Sequence, residues 1–237
     1  MTPIPYRLDP KVDDLAPIGL VVLQADETLE PELRRAFADV PNPIYVTRIP
    51  SSDSVTTETL SAMKSDLTQA ASLLPNARPY PVIGYGCTSA SAVIGSDQVE
   101  QLIQTSCDVT TVTNPLRAAV HVAQHHGVSK FAMLSPYLET VNAALRTAFA
   151  DQGISTEVFG TFNEPNEARV VRIAKQSIVK AAVKLGQDPQ TEAVFLSCTN
   201  LQTFDAIPEI EAILGKPVFS SNSALATHIK QLIAPKN

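Results

Sequence analysis

The chain has 237 residues, of which 44% are hydrophobic and 18% are charged, and its formal net charge is −6. This is the composition of a globular protein, and the acidic balance argues against nucleic acid as a partner, because phosphate binding requires a basic surface. No apolar run approaches the roughly 18–20 residues that cross a membrane, and the N-terminus lacks the basic start and apolar core of a signal peptide. We therefore expect a cytoplasmic protein that binds neither nucleic acid nor a membrane.

Short apolar runs alternate along the chain with longer amphipathic stretches. The apolar runs, bounded by turn residues, predict buried strands, and the amphipathic stretches predict helices. The predicted strands span residues 18–24, 42–49, 81–87, 109–114, 130–137, 155–162, 192–198 and 216–222. The predicted helices span residues 29–39, 56–74, 97–104, 115–126, 138–152, 167–186, 205–214 and 223–233. This alternation is typical of parallel sheets built from βαβ units, so the predicted fold class is α/β.

The two halves of the chain repeat each other. Three segments of the first half recur in the second half, in the same order and at nearly one spacing. They are LRRAFAD at 33–39 with LRTAFAD at 145–151, Cys87-Thr88 with Cys198-Thr199, and VTN at 112–114 with SSN at 220–222. The repeat predicts two similar lobes with parallel sheets, related by a pseudo-two-fold axis.

Cys87 and Cys198 each stand at the carboxyl end of a predicted strand. Ligands of parallel α/β sheets bind in the crevice beyond that end, and the pseudo-two-fold axis would bring the two cysteines to opposite walls of one cleft. An odd count of three cysteines without an export signal argues against a disulfide framework. The remaining cysteine, Cys107, precedes a strand and is predicted to be a packing residue.

Small polar residues follow each cysteine: Thr88 and Ser89 after the first, Thr199 and Asn200 after the second. Backbone N–H groups and hydroxyls favour anions, so we expect these segments to lower the thiol pKa towards neutrality and to bind a substrate carboxylate. One thiolate that removes a proton and one thiol that donates a proton would together invert a carbon centre. The same pair could instead act as nucleophile and acid, adding to a double bond and allowing it to rotate.

Several other polar residues are candidates for the site or for helix ends. Tyr137, after a strand, either contacts substrate or lines the rim of the cleft, and Asp26 either contacts substrate or caps the next helix. Asn114 and Asn222 are predicted helix N-caps, and the histidines at 121, 125 and 126 are predicted to favour the dipole at a helix end rather than to bind metal. The sequence has no zinc-ligand spacing, P-loop or dinucleotide-binding glycine pattern, so we expect no metal and no cofactor.

The two cysteine motifs resemble those of a known family. GYGCTSAS and FLSCTNL place a Cys-Thr pair at a strand end in each of two repeated lobes, as in the aspartate/glutamate racemase superfamily. Within that superfamily, GLVVLQADETLEPEL, VFLSCTNLQTFDAI and GKPVFSSNSALATHI are most similar to the branch of maleate cis–trans isomerases and ectoine-utilisation proteins. The resemblance covers the chain from about residue 18 to residue 232.

The resemblance implies a two-lobe α/β fold with the active site in the cleft, no cofactor, and catalysis by Cys87 and Cys198. It also implies that the C-terminal segment returns to the first lobe. The domains are then residues 1–115 together with 216–237, and residues 116–215. Tyr137 falls where maleate isomerases carry a substrate-contacting tyrosine, and either Asn166 or Asn163 falls near another asparagine of the family.

Two departures from the family pattern bear on the substrate. Asp26 falls where maleate isomerases carry an asparagine, and an acid there would repel a substrate carboxylate unless it is protonated or turned away. Asn200 stands in Cys-Thr-Asn where many amino-acid racemases have Cys-Thr-His, which argues against classical glutamate racemase activity.

The predicted function is that of a cofactor-independent isomerase or racemase that acts on a small carboxylate, either an amino-acid derivative or a dicarboxylate. Two alternatives stay open: a decarboxylase or lyase on the same scaffold, and a protein that binds a small carboxylate without catalysis, since two lobes around a cleft also suit binding. A homo-oligomer is possible with any of these functions.

Overall fold

Two four-stranded parallel sheets form the framework of the chain. The computed structural model describes residues 2–8 and 15–234. The strands are β1 (Ile18–Leu23), β2 (Ile44–Ile49), β3 (Tyr80–Gly86), β4 (Val109–Thr113), β5 (Phe131–Ser135), β6 (Phe159–Thr161), β7 (Ala193–Leu196) and β8 (Val218–Ser220). The sheet orders are β2-β1-β3-β4 and β6-β5-β7-β8, with every pairing parallel. Because order and direction agree, the two lobes have one topology, which confirms the α/β fold predicted from the repeat.

Helices connect the strands. In the described part of the chain they are α1 (Leu29–Ala36), α2 (Thr57–Ala62), α3 (Leu67–Ser72), α4 (Thr88–Ile94), α5 (Ser96–Gln104), α6 (Pro115–His125), α7 (Glu139–Asp151), α8 (Glu167–Val170), α9 (Lys175–Gly186), α10 (Ile207–Leu214) and α11 (Ser221–Ile233). Among these residues, none of the helices has the length and apolar character needed to cross a membrane.

The helices differ from the sequence prediction in three places. The predicted helix 56–74 is divided by a 3₁₀ turn at Met63–Ser65, where the Ser65 hydroxyl donates to the Ala62 carbonyl oxygen and competes with the helical ladder. The predicted helix 167–186 is divided because Ala174 is extended, with ψ 138°. Helix α4 was not predicted, because its seven residues, TSASAVI, are too few and too uniformly uncharged to give an amphipathic pattern.

Strand β1 is buried along its whole length, as its uninterrupted apolar run predicts. The packing is tight at the end of the neighbouring strand β3. A Cβ added at Gly86 would lie 2.2 Å from Leu29 Cδ2 of α1. Glycine at this position therefore allows α1 to pack against the strand end that carries Cys87.

The C-terminal segment crosses from the second lobe to the first. Strand β8 pairs with β7 in the second sheet, whereas α11 packs against α6, α1 and β3. The return was predicted to begin at residue 216, but in the structure it begins at Ser221, because Val218–Ser220 complete the second sheet. Each of the two hydrophobic clusters contains side chains from both sheets, so the lobes share their cores.

A buried carboxylate on α1 also joins the lobes. Glu32 Oε1 accepts hydrogen bonds from the backbone N–H groups of Thr203 at 2.7 Å and Phe204 at 2.9 Å. Its Oε2 accepts from the Asn222 side-chain amide at 2.7 Å. Glu32 thereby satisfies two backbone donors of the opposite lobe and one side-chain donor of the returning helix α11. Removal of its carboxylate would leave these buried donors unpaired.

The two predicted asparagine caps have different outcomes. Asn114 is the N-cap of α6, where its Oδ1 accepts from the Arg117 N–H at 3.0 Å. Asn222 does not cap α11, and the prediction was wrong. The N-cap is Ser220, whose hydroxyl oxygen accepts from the Ser223 N–H at 3.1 Å. Asn222 lies within the first turn of α11 and is used for the contact between lobes.

Candidate active site

Cys87 follows β3 and begins α4. It is the N-cap residue in an ordinary extended conformation, and its Sγ accepts the Ala90 N–H at 3.3 Å. The thiol is free and its side chain is buried. The strand end and the first turn of the helix therefore fix the position of this sulfur.

Cys198 follows β7 in a less common conformation. Its φ of 98° lies in the left-handed region that L-residues rarely adopt, a conformation that costs about 1–3 kcal/mol and is found mostly at functional sites. The Cys198 N–H donates to Ser221 Oγ at 3.0 Å, which helps to hold the backbone in this state. Its Sγ lies 2.9 Å from Tyr137 Oη and accepts the Asn200 N–H at 3.3 Å.

One small cavity between the lobes is lined by both cysteines. It has a volume of about 10 Å³ and is lined by Leu23, Asp26, Cys87, Thr88, Ser89, Tyr137, Glu167, Cys198, Thr199 and Asn200. This is room for about one water molecule, so any carboxylic acid that enters must push the walls apart. All but one of the site residues proposed from the sequence line this cavity.

Asn166 is the exception. It is the residue before α8, where it forms an isolated bridge with Ser54. Asn166 does not line the cavity, whereas its neighbour Glu167 does. The interpretation from the sequence found the correct segment but missed this acid.

Most of the predicted neutral donors already have partners. The Thr88 hydroxyl shares a 2.7 Å hydrogen bond with Ser221 Oγ, and the Thr199 hydroxyl donates to the Gly86 carbonyl oxygen at 3.2 Å. The Asn200 amide donates to Glu167, as described below. Ser89 differs, because its buried Oγ has no hydrogen-bond partner. Of the four side chains, Ser89 alone has its polar group free towards the cavity.

Glu167 and Tyr137 form a hydrogen-bonded chain that ends at a cysteine. The Tyr137 hydroxyl donates to Glu167 Oε1 at 2.6 Å, and the Asn200 amide donates to Glu167 Oε2 at 2.7 Å. Both carboxyl oxygens thus accept hydrogen bonds, which favours the ionised form. Because the tyrosine proton goes to Glu167, Tyr137 Oη must accept from the thiol of Cys198.

Asp26 caps the start of α1, as one of its two interpretations expects, and it also lines the cavity, while its contact with substrate stays a prediction. Its Oδ1 accepts the N–H groups of Thr28 at 2.8 Å and Leu29 at 2.7 Å, at the start of α1. Its Oδ2 is buried without a hydrogen-bond partner. Burial raises the pKa of Asp26; the nearby Thr199 hydroxyl acts in the opposite direction, although its own proton goes to the Gly86 carbonyl oxygen.

Burial and the two acids make the thiols hard to ionise in this cavity. Burial, with smaller contributions from Glu167 and Asp26, raises the pKa of Cys87 to about 12 and the pKa of Cys198 well above its usual range. The expectation that neighbouring N–H groups lower these pKa values was wrong, because those groups offset only part of the loss of solvation. Burial likewise raises the pKa of Asp26 and of Glu167.

The histidines lie outside this cavity. The His121 ring stacks on His228 at 4.4 Å between centroids, and its Nε2 lies 2.5 Å from Gln231 Oε1. His228 Nδ1 forms a 2.8 Å hydrogen bond with the hydroxyl of Thr113. Within the described residues no group of three or more His, Cys, Asp or Glu side chains is arranged to hold a metal ion.

The fold and the site define an α/β protein of two lobes with the same topology, in which each lobe contributes one free thiol to the lining of one small cavity. Comparison with known proteins identifies the family. Residues 18–236 match the family described as arylmalonate decarboxylase, and the chain belongs to this arylmalonate decarboxylase (Amdase) family.

Individual relatives include both isomerases and decarboxylases. The chain is 31% identical over 116 residues to the arylmalonate decarboxylase of Bordetella bronchiseptica, a match that covers 48% of this chain and 45% of that protein, about half its length. It is 23% identical over 233 residues to the maleate isomerase of Pseudomonas putida, covering 92% of this chain and 90% of that protein.

A solved structure has the same fold. The Nocardia farcinica maleate cis–trans isomerase, in a Cys→Ser mutant with a covalently bound succinylcysteine intermediate, superposes with a TM-score of 0.79 at 20% identity. The match covers 92% of this chain and 93% of that one. The two-lobe architecture therefore extends over nearly the whole chain.

Proposed function

We propose that this protein is a cofactor-independent isomerase that racemises a small carboxylic acid, with Cys87 and Cys198 as its two acid–base groups. The observation that carries the proposal is the presence of two free, buried thiols, one from each lobe, in the lining of one cavity. Two opposed acid–base groups are what inversion at a carbon requires. A protein that only binds its ligand has no use for a second thiol in this position.

Cys198 can ionise while the net charge of the residues that line the cavity stays the same. Its proton moves to Tyr137 Oη while the tyrosine proton moves to Glu167 Oε1, along contacts of 2.9 Å and 2.6 Å. The result is a thiolate at Cys198 and a neutral acid at Glu167. The raised pKa of Glu167 favours this transfer, because burial already disfavours its carboxylate.

Racemisation of the substrate then conserves the protons of the site. The Cys198 thiolate takes a proton from the substrate carbon, leaving the electron pair on that carbon, and the Cys87 thiol delivers its proton to the opposite face. Cys198 ends as a thiol and Cys87 as a thiolate. The resting state returns when the proton held by Glu167 passes to Cys87 through solvent.

A decarboxylase is the second candidate function. The match at 31% identity to an arylmalonate decarboxylase supports it. Loss of carbon dioxide leaves an electron pair on carbon that needs one proton, so this reaction requires only one of the two thiols. The two functions therefore predict different consequences of removing Cys87.

The test is incubation of the protein in deuterated water with a panel of small carboxylic acids, followed by NMR and chiral chromatography. Racemisation incorporates deuterium at the α carbon, whereas thiol addition, rotation and elimination convert maleate-like acids without exchange of carbon-bound hydrogen. Carbon dioxide release that persists in Cys87→Ala would favour the decarboxylase. If no acid is exchanged, isomerised or decarboxylated, the proposal is wrong.

A further inference from the structure

The cavity exposes one unpaired acceptor and one unpaired donor. Asp26 Oδ2 and Ser89 Oγ are both buried without a hydrogen-bond partner, in side chains that are 3% and 2% exposed. Both residues line the cavity that contains the thiols. Buried polar groups are almost always paired, so two unpaired groups on residues that line one cavity indicate which polar groups a ligand of this cavity would carry.

The charge of the lining restricts that ligand further. The lining contains two carboxyl groups, those of Asp26 and Glu167, and no lysine, arginine or histidine. Arg48 is a cation whose charge acts on Asp26, but it donates from Nη1 to the backbone carbonyl oxygens of Leu23 and Asp26, and from Nη2 to Glu30 outside the cavity. A dicarboxylate would therefore enter an acidic cavity without a counter-ion, which is electrostatically unfavourable.

We propose that the substrate is an amino acid whose protonated amine binds Asp26 and whose carboxylate accepts a hydrogen bond from Ser89. This inference rests on the proposed function and names the substrate class of the same site. The ammonium group supplies the donor that Asp26 Oδ2 lacks, and the carboxylate supplies the acceptor that the serine hydroxyl lacks. The bound ammonium also neutralises one of the two acids.

The space next to this cavity indicates which kind of side chain the substrate carries. A second small cavity, of about 20 Å³, shares Leu23, Cys87, Ser89, Tyr137 and Glu167 with the first. Its outer wall consists of the apolar side chains Val55, Leu60 and Met63 together with the hydroxyl residues Ser51, Ser52, Ser54 and Thr59. The wall carries no positive charge, so an uncharged side chain fits it better than a second carboxylate.

The amine also has a chemical role in the racemisation. A positive charge on the α nitrogen stabilises the electron pair that forms on the α carbon when the thiolate removes its proton. Asp26 holds the amine by hydrogen bonding and takes no proton from carbon. It is therefore a substrate-binding residue in this scheme, and the proton balance described above is unchanged.

The experiment compares ligands that differ in one group. Binding to the wild-type protein is measured by calorimetry for neutral α-amino acids, for the same acids without the amine, and for maleate and succinate. We expect the amino acids to bind at least about tenfold more tightly than their deaminated analogues, the effect of one buried charge-assisted hydrogen bond. Equal binding of both, or tighter binding of maleate, would overturn the inference.

A matched pair of variants tests whether Asp26 is the residue that causes the preference for ligands with an amine. Asp26→Asn and Glu30→Gln each remove one negative charge at the start of the first lobe, but Glu30 lies outside the cavity. Asp26→Asn is expected to lose the preference for amines and to bind maleate more tightly, while Glu30→Gln keeps the wild-type preference. An unchanged preference in a folded Asp26→Asn protein contradicts the inference. If that variant does not fold, the ligand comparison on the wild-type protein decides alone.

The two proposals fail in distinguishable ways. If amino acids bind in an amine-dependent manner but no α-deuterium is incorporated, the inference on the substrate class stands and the racemase proposal fails. If maleate or a deaminated acid is turned over and amino acids are not, an isomerase remains and the amine inference fails.

Discussion

The two lobes share one topology, yet they surround their cysteines differently. In the first lobe, Cys87 is an ordinary N-cap whose sulfur accepts one backbone N–H. In the second lobe, Cys198 has a positive φ, and its sulfur is hydrogen-bonded to Tyr137, which leads to the buried acid Glu167. The repeat therefore duplicates the position of the thiol but not the groups that control its proton.

This difference assigns unequal roles to two equivalent positions. Cys198 has a nearby acceptor for its proton, so it is the cysteine that we expect to ionise first. Cys87 has none among the hydrogen bonds of the described residues, so it begins as the proton donor. The following predictions test this asymmetry, beginning with the largest expected effect.

Replacement of either thiol should abolish turnover. Cys87→Ser and Cys198→Ser are each expected to lower kcat by about 10³-fold or more, in the range of a lost general acid–base group. Thermal unfolding and ligand binding report whether each variant is folded. Near-full activity of either folded variant would show that one thiol is sufficient.

Interruption of the proton path should cost less than loss of a thiol. Tyr137→Phe and Glu167→Gln are expected to lower kcat by roughly 10–100-fold. Below the raised pKa of Glu167 the wild-type enzyme loses its proton acceptor, so its rate falls on acidification. Glu167→Gln should flatten this arm of the pH–rate profile.

The first lobe offers a control for this effect. Ser91 donates to the Cys87 carbonyl oxygen rather than to the sulfur, so Ser91→Ala should leave the shape of the profile unchanged. The two enantiomers of a racemase's substrate have equal free energy. Any variant, Glu167→Gln included, must therefore change kcat/KM in both directions by the same factor. A Glu167→Gln profile that matches the wild type contradicts the asymmetry between the cysteines.

Acid should destabilise the first lobe through His228. Burial, followed by the charges of His121 and Arg117, lowers the pKa of this histidine to about 4. The unfolded chain then binds a proton that the folded chain resists, so stability that is present above about pH 6.5 is lost as the pH falls towards about 4. His228 contacts Thr113, the last residue of β4. At the end of β8, the corresponding strand of the second lobe, Ser220 accepts a hydrogen bond from the Thr203 hydroxyl.

Urea unfolding at pH 7.5 and at pH 5 measures this effect. Because the ring keeps some contact with solvent, we expect a loss of about 1–2 kcal/mol rather than the full value of the shift. His228→Asn should reduce the difference between the two pH values. If the variant and the wild type lose equal stability on acidification, His228 is not the responsible group.

The smallest effect is expected at Cys107, which has no counterpart in the repeat. This thiol is half-buried and contacts the Ala71 carbonyl oxygen at 3.2 Å. Cys107→Ala should leave turnover unchanged and cost about 1 kcal/mol of stability. Alkylation of the native protein, followed by mass spectrometry, should modify Cys107 before the two buried cysteines. Loss of activity upon its modification would place it in the reaction.

The fold was predictable because its signals are local. Each strand is a short apolar run, and the spacing of the two Cys-Thr pairs predicted one cavity lined by both lobes. Glu167 was not predictable as a site residue, because it begins the one-turn helix α8 without any motif, and its partners Tyr137 and Asn200 are about 30 residues away in sequence. The pKa values of the thiols were also mispredicted, because the sequence contains the neighbouring donors but not the extent of burial.

The return of α11 to the first lobe has a consequence for synthesis on the ribosome. Helix α11 packs against α6 and α1 and supplies the buried side chains Leu225 and Ile229 to the core that contains β1 and β3. These residues are made after all eight strands, so part of the apolar surface of the first lobe stays uncovered until α11 has been synthesised. We therefore expect that the first lobe cannot complete its core before the second lobe has been made, so that the two lobes fold together.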